Sequence, residues 1–550
     1  MYTQVLAPVG RSLAWSALVA AVPLSVLFVL LGVFRVRAWL SSLISLAVAL
    51  SVALVAYGMP VAPALLAASE GAAFGVWPIL LIVVNAIWIY NVTVHTGHFD
   101  VLRRSFARVS DDQRIQAILI AFCFGAVLEA LAGFGTPVAI TSVMLIALGF
   151  RPIRAASVAL VANTVPVAFG GLALPIVTLS KVSGVPMNAL GEMVGRQTSV
   201  LAVFVPLALV FIADGRRGLR QAWPAALLAG LTFGLAQFVT ANYFSVALTD
   251  IVAALLSAAC LVGLLRVWRP TSAPTGSGAA VAAAEPSGGP GAAANPDRAG
   301  AEPDSRTEVL RAYAPYLLIV IIFVVVQIKP VDAALDTVTQ TFHWPGLHVL
   351  SPSGAASTLT KFKLDLLTNP GSLLLLAGIA TSLVLRVGAG TSLRIYGSTV
   401  SQLRQAIVTV VAVLALAFVM NISGQTSTLG TFMAQTGGAF ALLSPILGWL
   451  GTAVTGSDTS SNSLFGGLQA IAAARAGLDP TLIVAANSSG GVLGKMISPQ
   501  NLAIGASAVA MAGREGDLFR SVLGWGLLFL VGLCALTFLQ STPVLDWMVP

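Results

Sequence analysis

Long runs of Leu, Ala, Val and Ile follow one another from Ala14 to Gln540, separated by short polar turns that carry arginine. Each run is near the length that crosses a bilayer as a helix, and the series predicts an all-α, polytopic membrane protein of roughly 12–16 membrane segments. Against this background some stretches stand out. "AANSSGGVLGKMISP" (Ala485 to Pro499) sets Asn, Ser, Gly and Lys between apolar runs. Irregular backbone is tolerated at membrane depth only where it faces protein or a water-filled cavity, so this segment is expected to be a broken helix at a site.

Composition agrees with the pattern. Of 550 residues, 57% are hydrophobic and 9% charged, against about a quarter charged in a soluble domain. The first run, Ala14 to Phe34, is preceded by Arg11 and followed by Arg35 and Arg37; this is the reverse of a cleavable signal peptide and reads as a retained span. Cys123, Cys260 and Cys534 lack metal or disulfide spacing, and no cofactor or metal is expected. The net charge of +8 is dispersed over short loops without a basic stripe, which argues against nucleic acid as a partner.

Lys and Arg near span ends collect on the cytoplasmic side. That rule puts on one side Arg35 and Arg37, Arg103 to Arg114, Arg151 and Arg154, Arg216 to Arg220, Arg266 to Arg311 (with Arg269 and Arg298), Arg386 to Arg404, and Arg514 and Arg520. Both chain ends then fall outside. The four histidines, His95, His98, His343 and His348, map to loops or span ends.

From Pro270 to Ser305 the sequence turns to Ala, Gly, Pro and Ser, too little apolar surface to fold. The halves on either side repeat. "VANTVPVAFGGLALP" (Val161 to Pro175) aligns without a gap on Ala485 to Pro499, matching Asn163 with Asn487 and Pro175 with Pro499. "FGAVLEALAGFGT" (Phe124 to Thr136) aligns on "LGWLGTAVTGSDT" (Leu447 to Thr459), with Gly133 on Gly456. The arginine rule gives the copies opposite orientations, the signature of secondary transporters with mid-membrane sites on broken helices. The expected organisation is two N-terminal spans (1–71), a first inverted repeat (72–267), a flexible cytoplasmic linker (268–312), a second inverted repeat (313–540) and a tail (541–550).

Charges inside spans mark functional sites by default, and here they are Glu129, Asp458 and Lys495. A carboxyl out of water holds a proton at a pH where a solvated one is ionised, which makes Glu129 and Asp458 the proton-coupling candidates. Glu129 has no cation nearby in sequence. Lys495 either binds a substrate carboxylate or pairs with Asp458. On a helix it would share a face with Asn487 and Gly491. Glu70 is expected at a solvated span end. Glycines and serines taken singly are better read as close helix packing; the paired asparagines are better read as a site.

"FGAVLEALAGFGTPVAIT", "GWLGTAVTGSDTSSNSLF" and "AANSSGGVLGKMISPQNLAI" resemble signature segments of the bacterial lactate permease family, over nearly the whole chain except the linker and Asp332 to Leu364. The resemblance implies proton-coupled symport of L-lactate, with D-lactate and glycolate, by alternating access across the bacterial cytoplasmic membrane. The aligned repeats and their polar breaks put the candidate substrate residues at Asn163, Thr164 and Gly135 of the first half and Ser457, Thr459, Ser460, Asn487, Ser488, Ser489 and Lys495 of the second. The partners implied are lactate, a proton and the bilayer; a homodimer is left open. Unwound backbone and hydroxyl oxygens also suit sodium, and a channel would use polar breaks too. No HExxH or GxSxG arrangement supports an enzyme.

Overall fold

The structure, a computed structural model, describes residues 2–550 apart from 35, 108, 111, 132–134, 269, 271–304, 327, 351–359 and 512–513. Most of the expected linker, Gly133, and Arg35, Arg108, Arg269 and Arg298 therefore lie outside the described residues. Among those described, 11 helices are long and apolar enough to cross a membrane. Shorter apolar helices run over Thr136–Ala147, Pro152–Ala162 and Pro370–Val384. Trp15, Leu18 and Val22 are exposed on the first helix, Leu13–Phe28. In a membrane protein such side chains face lipid, which takes the place of core.

The places where the chain turns follow from capping. Pro480 and Pro499 open helices Pro480–Lys495 and Pro499–Ala508, where a missing N–H costs nothing. Asp479 and Ser498 cap them, accepting from the amides of Leu482 at 3.0 Å and Asn501 at 3.3 Å. Helix Phe440–Thr455 ends on Gly456 at φ 77°, a left-handed stop that favours glycine. The 57-residue helix Met187–Tyr243 bends at Gly215, beside Arg216 and Arg217. This is where the arginine rule puts a cytoplasmic turn.

One succession of elements occurs in both halves. In the first it is Gly125–Leu131, Thr136–Ala147, Pro152–Ala162, Gly170–Ser183 and Met187–Tyr243; in the second, Phe440–Thr455, Asp458–Ala476, Pro480–Lys495, Pro499–Ala508 and Glu515–Gln540. The series interlock, since Asp458–Ala476 packs on Gly170–Ser183, Pro480–Lys495 on Met187–Tyr243, and Pro499–Ala508 on Thr136–Ala147.

The expected boundaries shift in detail. Ala72 falls inside helix Val61–Phe74, and Arg306 opens helix Arg306–Val326, so residues 306–312 are helical rather than linker. The tail is tied down, with the Arg196 guanidinium donating to the Met548 carbonyl at 2.8 Å. The idiosyncratic stretch from Asp332 carries short strands within an otherwise helical fold. Gln340–His343 pairs antiparallel with Lys361–Leu364, and Val349–Leu350 pairs with Tyr2–Thr3 of the amino terminus.

Candidate functional site

The two halves break their helices differently. In the first, helix Pro152–Ala162 stops at Asn163, a 3-10 turn covers Val165–Phe169, and Gly171, Leu172 and Ala173 follow with φ of 54°, 57° and 62°. Left-handed backbone costs roughly 1–2 kcal/mol for a residue with a Cβ, so the surroundings hold Leu172 and Ala173 there. In the second half the polar motif does not break where expected. It is helical from Pro480 through Lys495 and yields only over Met496 to Ser498. A helix keeps its own backbone satisfied, and the side chains of the motif are free for other partners.

Those partners form a buried network. Asn487 donates to Asn462 Oδ1 at 2.8 Å and accepts from Gln469 Nε2 at 2.7 Å. Asn462 in turn donates to Ser488 Oγ and to the Pro175 carbonyl, both at 3.1 Å. Asp458 terminates the network, accepting from Ser488 at 2.6 Å and from Thr452 and Asn462 at 3.4 Å. Among the described residues, every donor that reaches it is a neutral hydroxyl or amide.

Lys495 pairs with Glu129 instead of Asp458. Its ammonium lies 2.5 Å from Glu129 Oε1, with both side chains nearly fully buried. The fold brings this cation to a carboxyl 366 residues away, a partner that the sequence around Glu129 does not supply. Gly170 permits the approach, because a Cβ there would lie 2.9 Å from Glu129 Oε1. Lys495 also ends its helix, where the helix dipole favours a positive charge.

The pair and Asp458 share a cavity of about 420 Å³, lined further by Gly170, Gly171, Leu174, Pro175, Thr455, Gly456, Ser457, Thr459 and Ser460. Of the candidate substrate residues, the structure thus brings together Ser457, Thr459, Ser460 and Lys495. Asn163, Thr164, Gly135, Asn487, Ser488 and Ser489 are not on its wall. The Thr164 hydroxyl is spent on the Val161 carbonyl, and Gly135 caps Thr136–Ala147 at φ 83°. Ser489 is fully buried. Asn163 Oδ1 is buried without a partner. Glu70, expected in solvent, is fully buried with neither carboxyl oxygen hydrogen-bonded.

Sequence reasoning missed Arg37, Trp39, Gln405, Thr409 and Gln500 on the cavity wall, and Gln469 in the network. Asn462 and Gln500 stood in quoted motifs, Asn462 one helical turn after Asp458, and Arg37 was read only as a topological charge; Trp39, Gln405, Thr409 and Gln469 carried no signal.

This placement changes what Asn487 is expected to do. Asn487→Ala leaves Asn462 and Gln469 without their partner, at about 1–3 kcal/mol per orphaned group. Thermal unfolding in detergent should drop by several degrees, while the half-saturation concentration for transport moves little. Asn163→Ala, whose carbonyl is already unpartnered, should change stability less. A large rise in half-saturation with unchanged stability for Asn487→Ala would put the residue back at the substrate.

Interlocking apolar helices around a small, water-accessible pocket with a buried ion pair define a polytopic membrane transport protein. The model of the L-lactate permease family matches residues 16–544. The chain is 39% identical to the L-lactate permease of Bacillus subtilis (strain 168), covering 100% of both chains, and 41% identical to the glycolate permease GlcA of Escherichia coli (strain K12), covering 98% of both. It belongs to the L-lactate permease family. Among solved structures it is similar to Neisseria gonorrhoeae MtrF, at 12% identity and a TM-score of 0.44 over 86% of this chain and 82% of that one.

Proposed function

We propose that the chain is a permease for lactate and related 2-hydroxy monocarboxylates such as glycolate, coupling their entry through the bacterial cytoplasmic membrane to a proton. Full-length similarity to lactate and glycolate permeases supports the substrate class. The observation that carries the coupling is the Lys495–Glu129 pair on the cavity wall. With Glu129 ionised, Lys495 is occupied. A proton on Glu129 frees the ammonium for the substrate carboxylate, and the charge of the site is the same before and after. One proton thus enters with each anion. Ser457, Thr459 and Ser460 offer hydroxyls to the 2-hydroxy and carboxylate oxygens, and Asp458 beside them is the second proton candidate.

Alternating access completes the reading. Arg37 and Gln405, exposed lining residues, belong to segments the arginine rule assigns to the cytoplasm, which supports reading the cavity as inward-facing between two inverted repeats. The test is uptake of labelled lactate into proteoliposomes, with pH and sodium gradients imposed separately. Accumulation is expected with an acid exterior and no sodium. Accumulation driven by sodium alone replaces the proton, and dissipation without accumulation makes the chain a channel.

A further inference from the structure

Asp250 is a buried carboxyl that the account so far leaves unused. It sits in the first turn of helix Thr249–Val267 and is 1% exposed. Its Oδ1 accepts from Gln237 Nε2 at 3.2 Å, while Oδ2 has no hydrogen-bond partner. Its helix packs on Gly125–Leu131, which carries Glu129, whose own Oε2 is likewise buried and unpartnered.

Among the described residues, the cations on the elements packed against helix Thr249–Val267 are engaged elsewhere. Gly125–Leu131 presents Glu129, and the neighbouring turn presents Cys123, which bonds Ser257. Met187–Tyr243 presents Gln237. Arg196 on that helix is held by Asn242 and the Met548 carbonyl, each at 2.8 Å, with Glu192 at 3.9 Å. Gly170–Ser183 presents Lys181, whose ammonium is bound to the Lys361 carbonyl. Among the described residues the ammonium at Glu129 is Lys495, already paired with Glu129 Oε1, so an ionised Asp250 would add a carboxylate with no cation of its own. Two ionised carboxylates with one buried cation leave an uncompensated charge, which a membrane interior does not support.

We propose that Asp250 is a second proton-binding carboxyl, neutral at rest, that loads Glu129. Its helix runs toward Arg266 at the other end, so by the arginine rule Asp250 lies on the extracytoplasmic side. The O–H bond at Asp250 Oδ2 breaks as one forms at Glu129 Oε2. Because the carboxyls make no direct hydrogen bond, the hop takes a bridging water. Asp250 is left as a carboxylate held by Gln237 until a proton from outside restores it, and Lys495 is released to the substrate.

The inference rests on the proton-coupled reading, and the two fail differently. In proteoliposomes a one-unit pH gradient sustains about tenfold accumulation in one-to-one symport. Asp250→Asn keeps an acceptor for Gln237 and should lower the ratio of accumulation to lactate exchange by that factor. Asp250→Glu should restore much of it. The infrared spectrum of the purified protein should contain a protonated-carboxyl band that shifts in Asp250→Glu and is lost in Asp250→Asn. Wild-type accumulation by Asp250→Asn, or a band indifferent to both variants, overturns the inference. If the wild-type protein shows no pH-driven accumulation, the coupling reading falls, and the infrared arm still decides whether Asp250 is protonated.

Discussion

Glu129→Gln should end the pH dependence of lactate binding and abolish pH-driven accumulation, with exchange of lactate for lactate affected far less. The amide keeps the shape of the carboxyl but cannot compete for Lys495 as an anion. Substrate then meets a free ammonium at every pH, so the half-saturation concentration should fall at neutral and alkaline pH and become flat. The cost appears in the empty protein. Lys495, 6% exposed, loses its counter-ion, and an unpaired buried charge destabilises by about 3–5 kcal/mol. Lactate supplies the missing carboxylate, so the thermal shift on adding lactate should be larger for Glu129→Gln than for the wild-type protein. The double variant Glu129→Gln/Lys495→Met should regain stability without regaining that shift. The measurements are accumulation and exchange side by side in proteoliposomes, with ligand-dependent melting of the same preparations. Full pH-driven accumulation by Glu129→Gln would remove it from the coupling path.

How far the sequence carried depended on the range of the interaction. Apolar runs report directly on the bilayer, so the membrane class and most helices were visible from composition and length. The intramembrane charges were visible too, because Glu129, Asp458 and Lys495 are conspicuous in apolar surroundings. Their pairing was not. Asp458 and Lys495 are 37 positions apart, Glu129 and Lys495 366, and only packing of the halves decides which carboxyl meets the ammonium. Backbone form was equally hidden. Leu172 and Ala173 carry no left-handed signal yet adopt that conformation, whereas the Asn-, Ser- and Gly-rich motif stays helical because its neighbours satisfy its side chains. Asp250 was not among the candidates, since an acid in the first turn of an apolar helix is ordinary, and only its burial and its orphaned oxygen set it apart.

The glycines of that motif lead to the second large effect, on folding. Helices Phe440–Thr455 and Pro480–Lys495 approach so closely that a Cβ on Gly448 would overlap the backbone carbonyl of Asn487; one on Gly490 would overlap that of Pro445, and one on Gly494 that of Trp449. Small residues that let backbones touch are the usual means of helix association in lipid, where no hydrophobic drive operates between helices. Here they fix the distance at which Asn487 and Ser488 reach Asn462 and Asp458. A rotamer change cannot relieve the clash, since the obstacle is backbone, and overpacking typically costs about 1–3 kcal/mol, occasionally more. Gly448→Ala should therefore lower the melting temperature by several degrees, and Gly448→Val should yield little folded protein by fluorescence-detected size exclusion. Gly524→Ala is the control, because a Cβ there meets nothing within 4 Å, and it should fold as well as the wild-type protein. If Gly448→Ala folds, its displaced helix drags Asp458 from Ser488, and transport should fall more than stability alone accounts for. A Gly448→Ala protein as stable and active as the Gly524→Ala control would mean that the two helices stand farther apart than the structure places them.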